Sequence, residues 1–234
     1  MRIGIVGNSH LGSLKSAMDT FPELGAHEVT FWGMPSNQFK EVVAISDITL
    51  QPDRTKSAKQ RQWIGCDEGD FDATNFDAVV VYAQTLNFFN KIGDYSNELG
   101  RKASQFYSSA VKSSIEAAIF DTFAFQYGGN VRRMHKIPVI LHLAPFLSAD
   151  VKHARKFDEE DGRGLLQYMS AAADELDLIL LQQPNNTIQE TFFSDSKFST
   201  KRKNKGGKSI SDHHHKTAEF GKYVLNNVYQ TLGG

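Results

Sequence analysis

The sequence predicts an α/β sandwich of three layers, with helices on both faces of a central five-stranded parallel sheet. Three observations predict it. Five short apolar runs rich in β-branched residues recur along the chain, and stretches of helical periodicity separate most of them. Runs this uniformly apolar suit strands buried on both faces, which is the condition of a parallel sheet. The length, 234 residues with 40% hydrophobic and 23% charged, suffices for one domain with a substantial core.

The first expected strand is Ile3 to Val6, followed by a helix from Leu11 to Phe21. Val29 to Trp32 and Ala78 to Tyr82 are the second and third strands, and a helix is expected over Leu99 to Phe125. Pro138 precedes the fourth strand, Val139 to His142, and Pro184 follows the fifth, Leu178 to Leu181; prolines suit strand ends because they cannot donate to a ladder. The third helix is expected over Gly164 to Leu176. The last, Lys216 to Leu232, carries an apolar stripe of Phe220, Val224, Val228 and Leu232. Alternation of this kind favours the flavodoxin-like strand order 2-1-3-4-5.

Two segments stand outside the pattern. Between Gly33 and Asp77 there is no long amphipathic helix. A helical turn near Phe39 to Val43 is expected there, then a hairpin insertion around residues 45–70, with Ile48-Thr49-Leu50 and Gln62-Trp63-Ile64 as strands and Pro52-Asp53 between them. Ser194 to Ser211 is biased toward Lys and Arg, contains Gly206-Gly207, and reads as a mobile loop. With no internal repeat or linker, residues 1–234 are expected to form a single domain.

Composition narrows the function classes. The 26 basic and 27 acidic side chains nearly cancel, so overall charge selects no partner. The one cysteine, Cys66, excludes an internal disulfide and a multi-cysteine metal site, and its acidic neighbours Asp67 and Glu68 disfavour a thiolate. Met1 leads directly into a strand, and no apolar run approaches the roughly 20 residues of a membrane span, so a cytoplasmic location without membrane association is expected. No Gly-Lys-Ser/Thr follows the early glycines, and the basic run has only Phe198 among its cations, which argues against nucleotide and single-stranded nucleic acid partners. That run, Lys203 included, suits attraction of an anionic substrate. His213, His214 and His215 are consecutive, so their side chains diverge, and no metal or other cofactor is expected.

The residues that can carry chemistry lie at the two ends of the chain. Gly7-Asn8-Ser9-His10 follows the first strand and opens the first helix. Asp212-His213-His214-His215 precedes the last helix. Taken singly, each block also reads as a helix cap. Taken together they offer a hydroxyl nucleophile, a base, and a group to fix the tautomer of the base. Ser9 would lie at the carboxyl ends of the strands, where open α/β sheets bind ligands, and near a helix N-terminus that favours developing negative charge.

In these blocks the chain resembles the SGNH (GDSL-type) hydrolase family, whose members have a Gly-Asp-Ser type turn after the first strand and an Asp-x-x-His block before the last helix. Lys216 to Gly221 is also similar to the family's closing helix. The resemblance implies an SGNH hydrolase-like fold and a serine esterase, acting on a small-molecule or glycan ester such as an O-acetyl carbohydrate. It implies Ser9 as nucleophile, His215 as base and Asp212 as its orienting partner. It further implies an oxyanion hole from the N–H groups of Ser9 and Gly33 and from an Asn side chain after the third strand. There the chain departs from the pattern: Gln84 stands at the usual Gly, and Asn87 is the nearest asparagine. That departure leaves open an impaired binding domain for a glycan or protein, and the same triad would also serve an O-acyltransferase. His10, beside the nucleophile, and His142, at the end of the fourth strand, are expected to line the substrate site.

Overall fold

The computed structural model describes residues 1–33, 43–52, 69–83, 117–150, 159–203 and 209–233. Five strands form the central sheet: β1 (Arg2–Gly7), β2 (Glu28–Gly33), β6 (Ala78–Tyr82), β7 (Val139–His142) and β8 (Ile179–Leu181). Their order is β2-β1-β6-β7-β8 and every pairing is parallel, so the expected 2-1-3-4-5 arrangement is present. The register aligns Gly33, Gly7, Tyr82, His142 and Leu181 in one row across the carboxyl ends of the strands.

Helices described beside the sheet include α1 (Leu11–Thr20), α2 (Phe123–His135), α3 (Glu159–Glu175) and α4 (Ala218–Thr231). Successive side chains of a strand point to opposite faces, and the core divides accordingly. Val79, Val81, Val139 and Leu141 pack with Phe125, Val131, Leu165 and Met169 of α2 and α3. Ile3, Ile5, Val80 and Ile140 pack with Leu11, Leu14, Phe220 and Val224 of α1 and α4. Each apolar strand thus serves two cores, which is why its sequence shows no polar alternation. The two terminal helices cross closely at Gly221, where a Cβ would come within 2.1 Å of the Ser13 carbonyl oxygen.

The second and third helices differ most from the expectation. Of the helix expected over Leu99 to Phe125, residues up to 116 lie outside the described region; a turn at Asp121-Thr122 then leads into α2, which runs ten residues past Phe125 to His135. Gly128 and Gly129 are poor helix formers, but a Cβ there would come within 3.0 Å of Leu141 and 3.2 Å of Leu176 respectively. α3 begins at Glu159 rather than Gly164, and its opening Glu159-Glu160 suits the positive end of a helix dipole.

The insertion is a three-stranded antiparallel sheet of β3 (Val43–Ser46), β4 (Thr49–Pro52) and β5 (Phe71–Asp72), with β4 in the middle. Asp53, of the expected turn at Pro52-Asp53, lies outside the described residues. Thr49–Pro52 folds back on Val43–Ser46 through Asp47, which adopts the left-handed conformation at φ 50° that Asp tolerates better than most residues. Gln62 to Ile64 and most of the expected turn near Phe39 lie outside the described residues. Tyr127 of α2 donates its hydroxyl to the Ile48 carbonyl at 3.0 Å, docking the insertion on the helix.

The basic segment is also more ordered than expected. After a short pair of strands, β9 (Ile188–Glu190) and β10 (Phe193–Ser194), it forms an antiparallel hairpin of β11 (Ser199–Lys203) and β12 (Ser209–Lys216), with residues 204–208 outside the described region. Polar composition does not prevent a ladder, because cross-strand pairing satisfies the backbone wherever a partner is in register.

Candidate active site

The first half of the site is the turn between β1 and α1. Asn8 is 4% exposed. Its side-chain amide donates to the Ala83 carbonyl at 2.8 Å and its Oδ1 accepts the His10 N–H at 3.0 Å. Ala83 in turn donates its N–H to the His142 carbonyl at 2.9 Å. The turn carrying Ser9 is therefore fastened to the ends of β6 and β7. The N–H groups of Leu11, Gly12 and Ser13 are taken by the carbonyls of Asn8, Ser9 and His10 as the helix winds up. Ser9 and His10 are half-buried beside this frame.

Gly33 ends β2 directly opposite Gly7. A Cβ at Gly33 would lie 2.0 Å from the Gly7 carbonyl oxygen, and one at Gly7 would lie 2.6 Å from the Tyr82 carbonyl oxygen. Only glycine allows these strand ends to approach so closely.

The second half lies on β12. The ladder pairs Lys216 with Ser199 and Asp212 with Thr200, so one step on β11 faces four on β12. His213, His214 and His215 therefore form a bulge outside the ladder register, with the Thr200 hydroxyl donating to the His215 carbonyl at 3.4 Å. The loop returns His215 to Asp212. The His215 Nδ1–H donates to Asp212 Oδ2 at 2.8 Å, and the His215 backbone N–H donates to Oδ1 at 3.3 Å. With its proton on Nδ1, the neutral ring keeps Nε2 as an acceptor, the form a general base requires. The Asp212 side chain is 15% exposed and that of His215 45%.

Asp212 is not a helix cap. Thr217 caps α4, its hydroxyl accepting the Phe220 N–H at 3.5 Å. The Thr217 N–H itself bonds to the Phe198 carbonyl, and the buried Phe198 ring packs edge-on against Phe220 and Tyr223, anchoring the hairpin to α4.

The two halves meet through their histidines. The His10 and His215 ring centroids are 5.7 Å apart, at 36°. The chain ends, some 200 residues apart in sequence, thus come together beside the row of strand termini.

His142 departs from its expected place along the substrate. It is fully buried, its Nδ1–H donates to the Leu143 carbonyl at 2.8 Å, and its ring lies 5.1 Å from that of Tyr82. Burial pushes its imidazole down to about 4, so the ring is neutral at ordinary pH. It is covered because β7 is an interior strand, paired with β6 and β8 and packed on both faces. Lys203 ends β11, with its side chain outside the described residues, as are Gln84 and Asn87 entirely.

Lys216 was expected to open the last helix. It ends β12 instead and is only 5% exposed. The signal was present in Thr217, a preferred N-cap residue that puts Lys216 before the helix. Burial pushes its ammonium down to about 8, while Asp212 and Asp150 oppose the shift.

No family model matches this sequence, and no curated protein matches it significantly. Among solved structures the chain is similar to a GDSL-like lipase from Bacteroides thetaiotaomicron VPI-5482, with a TM-score of 0.45 and 14% identity over 99% of this chain and 87% of that one. It is similar to a lipase/acylhydrolase from Enterococcus faecalis, with a TM-score of 0.41 and 12% identity over 99% and 97%. It is also similar to a catalytic mutant of the acetylxylan esterase Axe2 from Geobacillus stearothermophilus, with a TM-score of 0.42 and 11% identity over 99% and 94%. Likenesses at this level assign no role to any residue of this chain.

Proposed function

We propose that the chain is a serine ester hydrolase of the SGNH type, with Ser9 as nucleophile, His215 as general base and Asp212 as the group that holds the base. One observation carries the reading: His215 bonds to Asp212 at 2.8 Å while its ring lies against His10, the residue that follows Ser9.

In this reading the Ser9 hydroxyl attacks the ester carbonyl and passes its proton to His215 Nε2. Asp212 stabilises the imidazolium that forms. The tetrahedral oxyanion is met by the Ser9 and Gly33 N–H groups and by the N-terminal end of α1. The intermediate collapses, and His215 returns the proton to the departing alcohol. Water then donates a proton to His215 and attacks the acyl-enzyme; as that intermediate collapses, His215 returns the proton to the Ser9 oxygen and the acid is released. The part-exposed His215 ring is compatible with a bulky alcohol such as an O-acetylated sugar, and with access for water.

The reading is tested with a fluorophosphonate probe and a simple acetyl ester. The probe labels Ser9 by mass spectrometry, and Ser9→Ala loses turnover by about 10⁴-fold or more. Unchanged hydrolysis in Ser9→Ala would sink the assignment.

A further inference from the structure

The His215 ring stands in a bulge and is 45% exposed, with its Nδ1 tied to Asp212. A single hydrogen bond fixes a length and a direction but lets the ring rock about its own line. The bond from the His215 backbone N–H to the other Asp212 oxygen holds the loop rather than the ring. A general base must stay within hydrogen-bond reach of its proton, and a misplacement of about 1 Å can cost about 10²-fold. His215 therefore needs a second support, and His10 is placed to give one. The two ring centroids are 5.7 Å apart with the planes at 36°, a separation at which paired aromatic rings interact. The place of His10 is set by its main chain. Its N–H donates to Asn8 Oδ1 at 3.0 Å, and its carbonyl accepts the Ser13 N–H at 3.3 Å and the Ser13 hydroxyl at 2.9 Å. Asn8 is bonded to Ala83 beyond the end of β6, and Ser13 is buried where α1 meets Gly221. The His10 ring is thus mounted on the sheet side of the site and reaches the base on the hairpin side.

We propose that His10 is a positioning residue whose ring braces the His215 imidazole in the orientation that Asp212 begins to set. For turnover this rests on the esterase reading; for the order of the ring it does not. The brace acts through a flat ring at a fixed place, so another aromatic side chain at residue 10 can supply it and a methyl group cannot. Because the anchors of His10 are main-chain groups, its side chain can be changed while the turn that carries Ser9 stays in place.

The test measures the order of the His215 ring by NMR relaxation in the ligand-free protein, and acetyl-ester turnover, in the native chain, His10→Phe and His10→Ala. The ring order parameter is expected to be about 0.8 in the native chain and in His10→Phe, and to fall below about 0.6 in His10→Ala. In His10→Ala kcat is expected to be about 10-fold lower with KM within about twofold, as for a loss felt in the transition state, and His10→Phe is expected to restore kcat to within about threefold of native. A His215 ring as ordered in His10→Ala as in the native chain overturns the proposal. So does a His10→Phe variant that loses as much kcat as His10→Ala. Should His10→Ala not fold, the native protein decides: nuclear Overhauser contacts between the His10 and His215 ring protons are expected, and their absence overturns the brace. Absence of ester turnover in all three proteins, together with the expected change in ring order, would sink the esterase reading and support the role of His10.

Discussion

Around Ser9 the chain is pinned by backbone packing; around His215 it is held by side chains on a peripheral hairpin. The Ser9 turn grows out of β1, an interior strand of the five, with glycines at Gly7 and Gly33 where neighbouring carbonyls leave no room for a Cβ, and with Asn8 bonded across to Ala83. The His215 bulge belongs to a two-stranded ribbon whose grip on the body is Phe198 against α4 and the cap at Thr217. The contrast assigns different work to the two halves. The sheet side fixes a position by sterics and pays for it in tolerance to substitution. The hairpin side fixes an orientation by charge and hydrogen bonding, and can be altered without disturbing the core.

His215→Ala gives the largest expected effect and separates the halves most sharply. Ester turnover should fall about 10⁴-fold, while the melting temperature moves by only a few degrees, because the ring is 45% exposed. Loss of cooperative melting in this variant would break the comparison, since the hairpin would then be part of the stability core. Acid titration probes the opposite side. The folded His142 ring is pushed from 6.5 down to about 4 by burial, so below 6.5 the unfolded chain takes up a proton that the native chain refuses. Its contribution is fully present above pH 6.5 and is lost as pH falls from there through about 4. The loss amounts to about 3 kcal/mol at most. Urea denaturation over that range should show the slope, and His142→Gln should lack it; an unchanged slope would remove His142 from the account. Gly33→Ala is the smallest of the three by free energy, about 1–3 kcal/mol of destabilisation. Because the clash is with the Gly7 carbonyl oxygen at the root of the Ser9 turn, turnover should fall along with stability. A variant with full activity would show that β2 can yield there without moving Ser9.

The three interior strands were legible because each is buried on both faces and so writes an uninterrupted apolar run; Ala78 to Tyr82 has the same limits in the sequence and in the structure. Strand order followed from the alternation of strands and helices. The hairpin through Asp47 was not legible, because β4 takes its place from partners on both sides rather than from a local turn signal. The basic segment was misread because its composition carries no apolar face to reveal a strand. Lys216 was assigned to a helix because propensity is nearly blind to a boundary of two residues, and here those residues decide whether the side chain is in water or buried.

By itself the sequence determined the sheet, the layers and the spacing of the end motifs. These depend on apolar periodicity and on short-range order along the chain, both of which a linear string contains. The tertiary structure alone decided that the Asp212 block would be a looped-out bulge rather than a cap, that His10 and His215 would meet, that His142 would be sealed under the sheet edge, and that Lys216 would lie buried. Each of these depends on which rung faces which across the β11–β12 ladder or on which strand is central. Such distances between residues far apart in the chain are set by packing and register, and no local preference encodes them.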